Sequence, residues 1–437
     1  MSTPDAKREF LLSLFQKAVA TAHPDTCIAR HLPDIPEPGP DAASDSGQFM
    51  VVGAGKASAA MAEAAVKHYK KQGVIDRVVG VITTRYGYEL PIAPLEMTLA
   101  GHPVPDMGSI EGARRALEIA KSAGPNDFVL CLLSGGASAL WSAPVDGVTL
   151  EQKQELTKLL LHSGARISEM NCVRKHLSQI KGGRLAAATF PAKLLTLAIS
   201  DVPGDDPDAI GSGPTVGDPT TCDDAKDIIA RYGITPPQSI IDALNNPANE
   251  TLKPNDGALG SASYQLIATP KMSLDAGAAM ARQAGYEIEM LGDSLEGEAR
   301  DVARRHAEIA KKAHKDGRRV AILSGGEFTV TVKGNGAGGP NQEYALGLAL
   351  GLDGNPGISA LAGDTDGTDG GKGAADDPAG ALVFPDTLAR AAANNLNAAN
   401  FLENNDTTNF FQSIGDLIVC GPTQTNVNDF RVILVDP

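Results

Sequence analysis

The sequence predicts an α/β protein of two domains. Short aliphatic runs closed by glycine or aspartate turns alternate with amphipathic helical stretches through most of the chain, the pattern of a parallel sheet covered on both faces. The composition agrees, because 47 glycines and 4% aromatics suit glycine-turned aliphatic strands better than a β-sandwich core. A chain of 437 residues is also long enough for about two or three folding units. The stretch 233–260 is dense in Pro, Asn and Gly and has no sustained periodicity, so the boundary is expected there. Residues 1–240 then form an N-terminal doubly wound, Rossmann-like parallel-sheet domain, 241–261 a linker, and 262–437 a C-terminal α/β domain with a mixed sheet.

Taken in order, residues 7–22 place Leu11, Leu12, Leu14, Phe15, Ala18, Val19 and Ala22 at helical spacing. Pro33, Pro36, Pro38, Gly39 and Pro40 then stop any helix and predict an irregular connection. A strand at Phe49–Val52 leads through glycines into an Ala-rich helix, 57–68. Strands at 78–83 and 97–100, a helix at 109–122 and the apolar strand 128–133 continue the alternation. A helix at 150–163, a polar helical stretch at 170–188, a strand at 194–199, turns over 201–219 and a helix at 222–232 complete the first half. In the second half strands are expected at 264–268, 286–291, 319–323, 358–362, 417–419 and 432–435. Helices are expected at 273–284, 296–314, 341–351 and 385–394, with a hairpin-like segment at 327–333 and a glycine loop at 334–339.

A net charge of −15 argues against a nucleic-acid or anionic-membrane surface, since both need clustered positive charge. Five scattered cysteines without C-x-x-C spacing read as reduced thiols. The early apolar stretch 10–15 is broken by Gln16 and Lys17, which makes a poor secretory signal, and no run approaches the ~20 apolar residues of a membrane span. A soluble cytoplasmic protein is expected, and the sequence neither requires nor excludes a homo-oligomer.

Gly53-Ala54-Gly55-Lys56-Ala57-Ser58 turns a buried strand into a helix, where glycine lets backbone amides approach an anion and Lys56 adds a full charge. It is not a P-loop, because Met50 and Ala57 stand where that motif needs Gly and Ser/Thr. A dinucleotide site would place Ser58 at the third glycine and an acid after the second strand, where Thr83-Thr84-Arg85 stand instead, so NAD is disfavoured and only NADP remains. Two Ser-Gly-Gly turns end strands in the two halves, Ser134-Gly135-Gly136 with Ser138 just beyond, and Ser324-Gly325-Gly326. Helical spacing would align Arg174, Ser178 and Lys181, with Arg184 following two glycines, as an anion-binding face in an otherwise acidic chain.

Asp/Gly loops follow two more strands, Ser200 to Asp206 and Gly363 to Gly371. Turn geometry alone accounts for many such loops. They also match what Mg²⁺ needs, few carboxylates with room for water and phosphate, which makes Asp201, Asp364 and Asp366 the metal candidates and Asp201 or Asp364 the base. Asn341 and Glu343, after Gly338-Gly339-Pro340, suit a helix cap or a ligand contact equally. His102 lies in a proline-rich loop and is a further candidate contact.

Together these stretches resemble the bacterial glycerate 2-kinase family of the MOFRL type, often labelled hydroxypyruvate reductase. The resemblance rests on VVGAGKAS (51–58), GHPVPD (101–106), LLSGGASAL (132–140), NCVRKHLSQIKGGRLA (171–186), SDVPGDDPDAIGSGPTVGDPT (200–220), LSGGEFTV (323–330), GGPNQEYAL (338–346) and AGDTDGTDG (362–370). It implies ATP-dependent phosphorylation of D-glycerate on its 2-hydroxyl with a divalent cation, two α/β domains and an active site in the cleft between them. Lys56 matches the family's active-site lysine. Where the family often has GGRNQE, this chain has Pro340, so Arg174 or Arg184 would have to supply that charge. The expected chemistry has the carboxylate of glycerate on Arg174 or Lys181, Asp201 as base and Lys56 at the transferred phosphate. An NADP-dependent hydroxypyruvate reductase and a non-catalytic metabolite-binding regulator are the alternative readings.

Overall fold

The computed structural model of the chain describes residues 4–35, 47–371, 374 and 376–437. The predicted irregular segment at Pro36, Pro38, Gly39 and Pro40 lies outside the described residues. The chain divides into two units, one of residues 27–267 and one that joins 1–26 to 268–437. Among the described residues no helix is long and apolar enough to cross a membrane.

The first unit is built on strands β1 (Phe49–Ala54), β2 (Val78–Arg85), β3 (Glu96–Ala100), β4 (Phe128–Leu133), β5 (Lys193–Ile199) and β6 (Ala262–Ala268). Their order is β3-β2-β1-β4-β5-β6, and β1 to β5 pair in parallel. That order is the doubly wound one: the chain starts at the centre, builds one side, then returns to build the other. Its switch point falls between β1 and β4, and ligands of doubly wound sheets bind at that point, outside the carboxyl ends of the strands. β1 is central because all six of its residues are buried, as a strand covered on both faces requires. The helix after it, Ser58–Gln72, presents small alanines to the sheet and stops at Gly73 in the left-handed conformation.

The expected linker belongs to this unit. Residues 238–245 form a helix that buries Ile240, Ala243 and Leu244, and the surrounding Pro and Asn residues cap and turn it. The next segment is pinned by backbone bonds, Asp218 N–H to Leu252 O at 2.8 Å and Leu252 N–H to Gly182 O at 3.2 Å. β6, expected to open the second domain, borders β5 instead, with Leu194 N–H donating to Ser261 O at 3.0 Å.

The second unit holds β7 (Glu287–Gly292), β8 (Val320–Ser324), β9 (Ile358–Asp364), β10 (Gly380–Val383), β11 (Leu417–Ile418) and β12 (Asp429–Val435) in the order β11-β10-β9-β12-β8-β7. β12 runs antiparallel to both β8 and β9, so their carboxyl ends share one edge with its amino end. Ser324 there faces Arg431, and Asp364 faces Asp429. The expected hairpin at 327–333 does not form. Thr329 N–H donates to Gly297 O at 2.9 Å and Thr329 O accepts from Ala299 N–H at 2.9 Å, so the segment is held by the approach to the next helix and not by itself.

The first helix, Pro4–Ala22, belongs to this second unit. Leu11, Leu14, Phe15 and Ala18 pack with Leu274, Ala278, Phe430 and Val432, and Ser273 Oγ donates to Ala18 O at 2.9 Å. An exposed sheet face needs an apolar cover, and here the far end of the chain provides it. Phe15 is 2% exposed and its ring lies 6.4 Å from that of Phe430. Phe15→Ala should therefore destabilise the mixed-sheet unit by about 3–5 kcal/mol in urea unfolding. A loss below about 1 kcal/mol, the size of a surface change, would show that the helix is only draped on the unit.

Candidate functional site

In the parallel-sheet unit the turns after β1 and β4 are tied together. Lys56 N–H donates to Gly135 O at 2.8 Å, Ser134 N–H to Ala54 O at 3.1 Å, and Ala57 N–H to Ser134 Oγ at 2.9 Å. Gly55 has φ of 142°, and a Cβ there would lie 2.0 Å from Ser134 Oγ, so only glycine fits. Ser58 is fully buried and its hydroxyl lies 2.7 Å from Gly55 O and 2.9 Å from Thr83 O. Ser58 and Ser134 thus build the turn from inside. Gly53 lies within β1, where a Cβ would meet Leu132 O at 2.7 Å, so its role is strand packing. What the turn presents is Lys56, half-buried, beside Gly136 and His102. A Cβ on Gly136 would lie 3.1 Å from His102 Nε2 and 3.5 Å from Lys56 Cγ.

The expected helix over 170–188 is broken. Ile167–His176 is helical, Gly182 and Gly183 adopt left-handed φ of 57° and 79°, and a short helix Arg184–Thr189 follows. Glycine's freedom at positive φ reverses the chain there. The break still leaves Arg174 and Lys181 as neighbours. Lys181 is buried, and its Nζ donates to Ser138 O at 2.8 Å, Ser138 Oγ at 3.0 Å and Gly211 O at 3.5 Å. Ser138 Oγ in turn meets Ser212 Oγ at 2.7 Å. Burial, and then the charges of Arg174, Lys153 and Lys175, hold the Lys181 ammonium well below its usual range. Arg184 turns elsewhere, donating to Glu250 O at 3.2 Å.

Sequence reasoning misses Lys153. It projects from the helix Leu150–His162 on the same buried face as Leu150, Leu156 and Leu160. Its Nζ is buried without a hydrogen-bond partner, and burial, with Arg174 second, brings it down to about 7. A lysine inside an apolar helical stripe is the available signal. Lys175 differs in being neutralised, by Asp208 at 3.0 Å and Asp218 at 3.4 Å.

Asp201 stands half-buried two residues beyond the end of β5. His176, Cys222 and Glu250 lie within 4.8 Å of one another in the same unit. Glu250, however, accepts from Lys253 Nζ at 2.5 Å and Cys222 N–H at 3.0 Å, which makes the trio a satisfied hydrogen-bond cluster.

At the polar edge of the mixed-sheet unit, Arg431 is fully buried against Phe328, with its guanidinium 3.5 Å from the ring centroid. It donates to Gly325 O at 3.1 Å and Gly326 O at 3.2 Å and pairs with Asp429. Ser324-Gly325-Gly326 is therefore held by its carbonyls. Asn341 Nδ2 donates to Asp429 at 2.6 Å and to Asp369 at 3.3 Å. Asp369 caps the helix Pro340–Leu352 by accepting the N–H groups of Asn341 at 2.9 Å and Gln342 at 2.8 Å. Glu343 pairs with Arg300 at 2.7 Å and accepts from Asn405 at 2.9 Å. Neither Asn341 nor Glu343 takes the expected cap role: the N-cap is Gly339, Asn341 Nδ2 and Glu343 bond within the unit, and Asn341 Oδ1 is buried without a partner. Burial raises the Asp429 carboxyl to about 7 and that of Asp369 above its usual value. A lone arginine in the apolar run of β12 is the sequence signal for this cluster.

Asp364 and Asp366 share one loop. Asp364 Oδ1 accepts Asp366 N–H at 2.9 Å and Asp366 Oδ1 accepts Thr368 N–H at 2.9 Å, while Thr368 Oγ1 is buried without a partner. Each of the two carboxylates thus gives one oxygen to a backbone N–H of its own loop, and the hard oxygen atoms that remain are of the type a divalent cation such as Mg²⁺ takes.

Two family models match the chain, a domain of unknown function (DUF4147) over residues 10–245 and the MOFRL family over residues 320–429. A protein of Agrobacterium vitis, provisionally named hydroxypyruvate reductase, is 48% identical over 434 residues, covering 98% of this chain and 94% of that one. The D-glycerate 2-kinase of Thermotoga maritima is 39% identical over 440 aligned positions, covering 100% of both chains. A crystal structure of the glycerate kinase from Thermotoga maritima superposes with a TM-score of 0.86 at 39% identity, covering 99% of this chain and 100% of that one.

The tie between the two turns predicts a difference between glycines. Gly73 has φ of 74°, but nothing lies within 4 Å of where a Cβ would stand, whereas Gly55 has both a positive φ and the contact with Ser134. Gly73→Ala should cost about 1–2 kcal/mol for the left-handed backbone, and Gly55→Ala about 1–3 kcal/mol more for the steric conflict. Equal shifts of the thermal midpoint in the two variants would show that the contact with Ser134 is unimportant.

Proposed function

The chain belongs to the MOFRL glycerate kinase family, and from that premise we propose that it is a glycerate 2-kinase, transferring the γ-phosphoryl group of ATP to the 2-hydroxyl of D-glycerate to give 2-phosphoglycerate and ADP. The observation that carries the reading is the full-length match to a D-glycerate 2-kinase in sequence, together with Lys56 at the switch point of the doubly wound sheet. Phosphoryl transfer asks a protein for positioning and for charge stabilisation more than for covalent chemistry.

Lys56, held by its backbone N–H on Gly135, meets the charge that develops on the transferred group. Arg174 and Lys181 hold the carboxylate of glycerate. Lys181 is steadied for this by the oxygens of Ser138 and Gly211. With Pro340 in place of the arginine often found there, and Arg184 spent on Glu250, Arg174 is the guanidinium left for an anion. Asp201, half-buried at the end of β5, takes the proton of the 2-hydroxyl. Asp364 and Asp366 would hold Mg²⁺, which would supply positive charge to neutralise the phosphate groups.

One observation favours a second reading, the name of the Agrobacterium vitis relative. A reductase would need a dinucleotide at the same turn. The carboxyl end of β2 there carries Thr83, Thr84 and Arg85, without the acid that holds a ribose. A non-catalytic regulator would bind the acid and leave ATP intact.

Purified protein with ATP, Mg²⁺ and D-glycerate should yield 2-phosphoglycerate, identified by ³¹P NMR. No ATP-dependent product, together with loss of nicotinamide absorbance on mixing NADPH and hydroxypyruvate, would replace the kinase with the reductase. Lys56→Ala should lower turnover by about 10² or more, and near-normal turnover would remove Lys56 from the mechanism. EDTA should abolish turnover and added Mg²⁺ restore it; activity unaffected by chelation would exclude the role given to Asp364 and Asp366.

A further inference from the structure

The parallel-sheet unit buries more positive charge than glycerate can neutralise. Lys153 is 9% exposed and Lys181 2% exposed. Lys153 Nζ has no hydrogen-bond acceptor, and the acceptors of Lys181 are neutral oxygens of Ser138 and Gly211. The helices that carry Lys153 and Arg174 pack together, with Leu156 and Leu160 of one in the same buried cluster as Cys172 and Val173 of the other, and burial and then the charge of Arg174 lower both lysines. The neighbouring carboxylates Asp208 and Asp218 are taken by Lys175. Among the described residues no carboxylate forms an ion pair with Lys153, Arg174 or Lys181.

A buried ammonium without a counter-charge is unfavourable and is driven towards its neutral form, a penalty that an arriving anion removes. Lys181, the member of the group bonded to Ser138, ties it to the turn after β4. Glycerate carries a single carboxylate. A phosphorylated glycerate adds a phosphomonoester of about −1.5 to −2, so its total charge approaches −3.

We propose that Lys153, Arg174 and Lys181 form a receptor for the phosphorylated acid, taking a carboxylate and an adjacent phosphomonoester together, with Lys153 as a phosphate-binding residue. The inference rests on the kinase reading for the identity of the acid. It adds that the site matches the product more closely than the substrate, so the phosphorylated acid binds more tightly than glycerate. Burial first, and then the neighbouring cations, lower the Lys153 and Lys181 ammonium groups, and an entering trianion opposes both effects.

The test measures binding without ATP, by thermal shift and by the fluorescence of Trp141, the only tryptophan, three residues beyond Ser138. The probes are 2-phosphoglycerate, inorganic phosphate and D-glycerate. Wild-type protein should bind 2-phosphoglycerate more tightly than D-glycerate and should be stabilised by phosphate. Lys153→Met keeps the aliphatic stem and removes the charge, so its ligand-free melting temperature should be no lower than that of wild type. It should weaken 2-phosphoglycerate and phosphate by roughly tenfold or more, but D-glycerate by less than about threefold, as expected for one lost charge-assisted hydrogen bond to phosphate. Lys153→Arg should retain phosphate binding, and serves as the folded comparison if Lys153→Met is unstable. Unchanged affinity for 2-phosphoglycerate in Lys153→Met, loss of phosphate binding in Lys153→Arg, or equal losses for all three probes would overturn the proposal. Because no turnover is read, an inactive kinase with intact phosphate binding would count against the kinase reading alone. A fully active kinase that does not bind phosphate would count against the receptor alone.

Discussion

The contact between Gly55 and the Ser134 hydroxyl is the constraint on which the parallel-sheet unit's polar edge depends. Parallel pairing of β1 and β4 brings two strand-to-helix turns side by side at the switch point. Two such turns approach this closely only if one of them lacks a side chain, and Gly55 is that residue. The Ser134 oxygen then fills the gap and accepts Ala57 N–H, one of the donors left over at the start of the helix Ser58–Gln72. With the backbone of Lys56 fixed on Gly135 as well, the lysine leaves the turn in one direction, towards Gly136 and His102.

The two units handle buried charge in opposite ways. In the mixed-sheet unit, Arg431, Asp429, Asn341 and Asp369 neutralise one another and pin backbone groups, an arrangement that makes an edge rigid. In the parallel-sheet unit, no carboxylate among the described residues forms an ion pair with Lys153, Arg174 or Lys181. Desolvating a cation beside other cations is unfavourable on every count, so the cluster is poorly explained as a stabilising feature. Its physical sense lies in an anion that arrives from outside.

Elements whose signal is local are legible in the sequence. β1, β4 and β5 read directly as aliphatic runs, and the glycine turns mark the edge where Lys56, Ser134 and Ser138 gather. Signals that depend on distant partners are not. The stripe of the first helix shows that Leu11 and Phe15 are buried, but nothing local says that Phe430, over four hundred residues later, is what buries them. The helix 238–245 is short, and its flanking Pro and Asn residues mimic a linker because capping and disorder draw on the same residue types. Arg174 and Lys181 do not share one helical face, because the helix ends at His176 and the chain runs through non-helical Leu177 to Ile180 before it reaches Lys181. Lys153 is hidden because a single lysine in an amphipathic helix usually reaches solvent by its long stem.

The twin Ser-Gly-Gly turns show how topology decides what a motif does. After β4 the chain enters a helix at once, and the strand beside it, β1, runs parallel, so the neighbour at that edge is another turn, carrying Lys56. After β8 the neighbouring strand β12 runs antiparallel, so the edge receives the beginning of a strand, and with it Asp429 and Arg431. The same tripeptide therefore has its backbone claimed by different partners. Gly135 offers its carbonyl to a main-chain N–H, so the adjoining lysine is fixed by its backbone and projects its side chain from the edge, whereas Gly325 and Gly326 give theirs to a buried guanidinium. Strand direction, which a tripeptide does not encode, separates a turn that presents a charge from one that is locked in place by a charge.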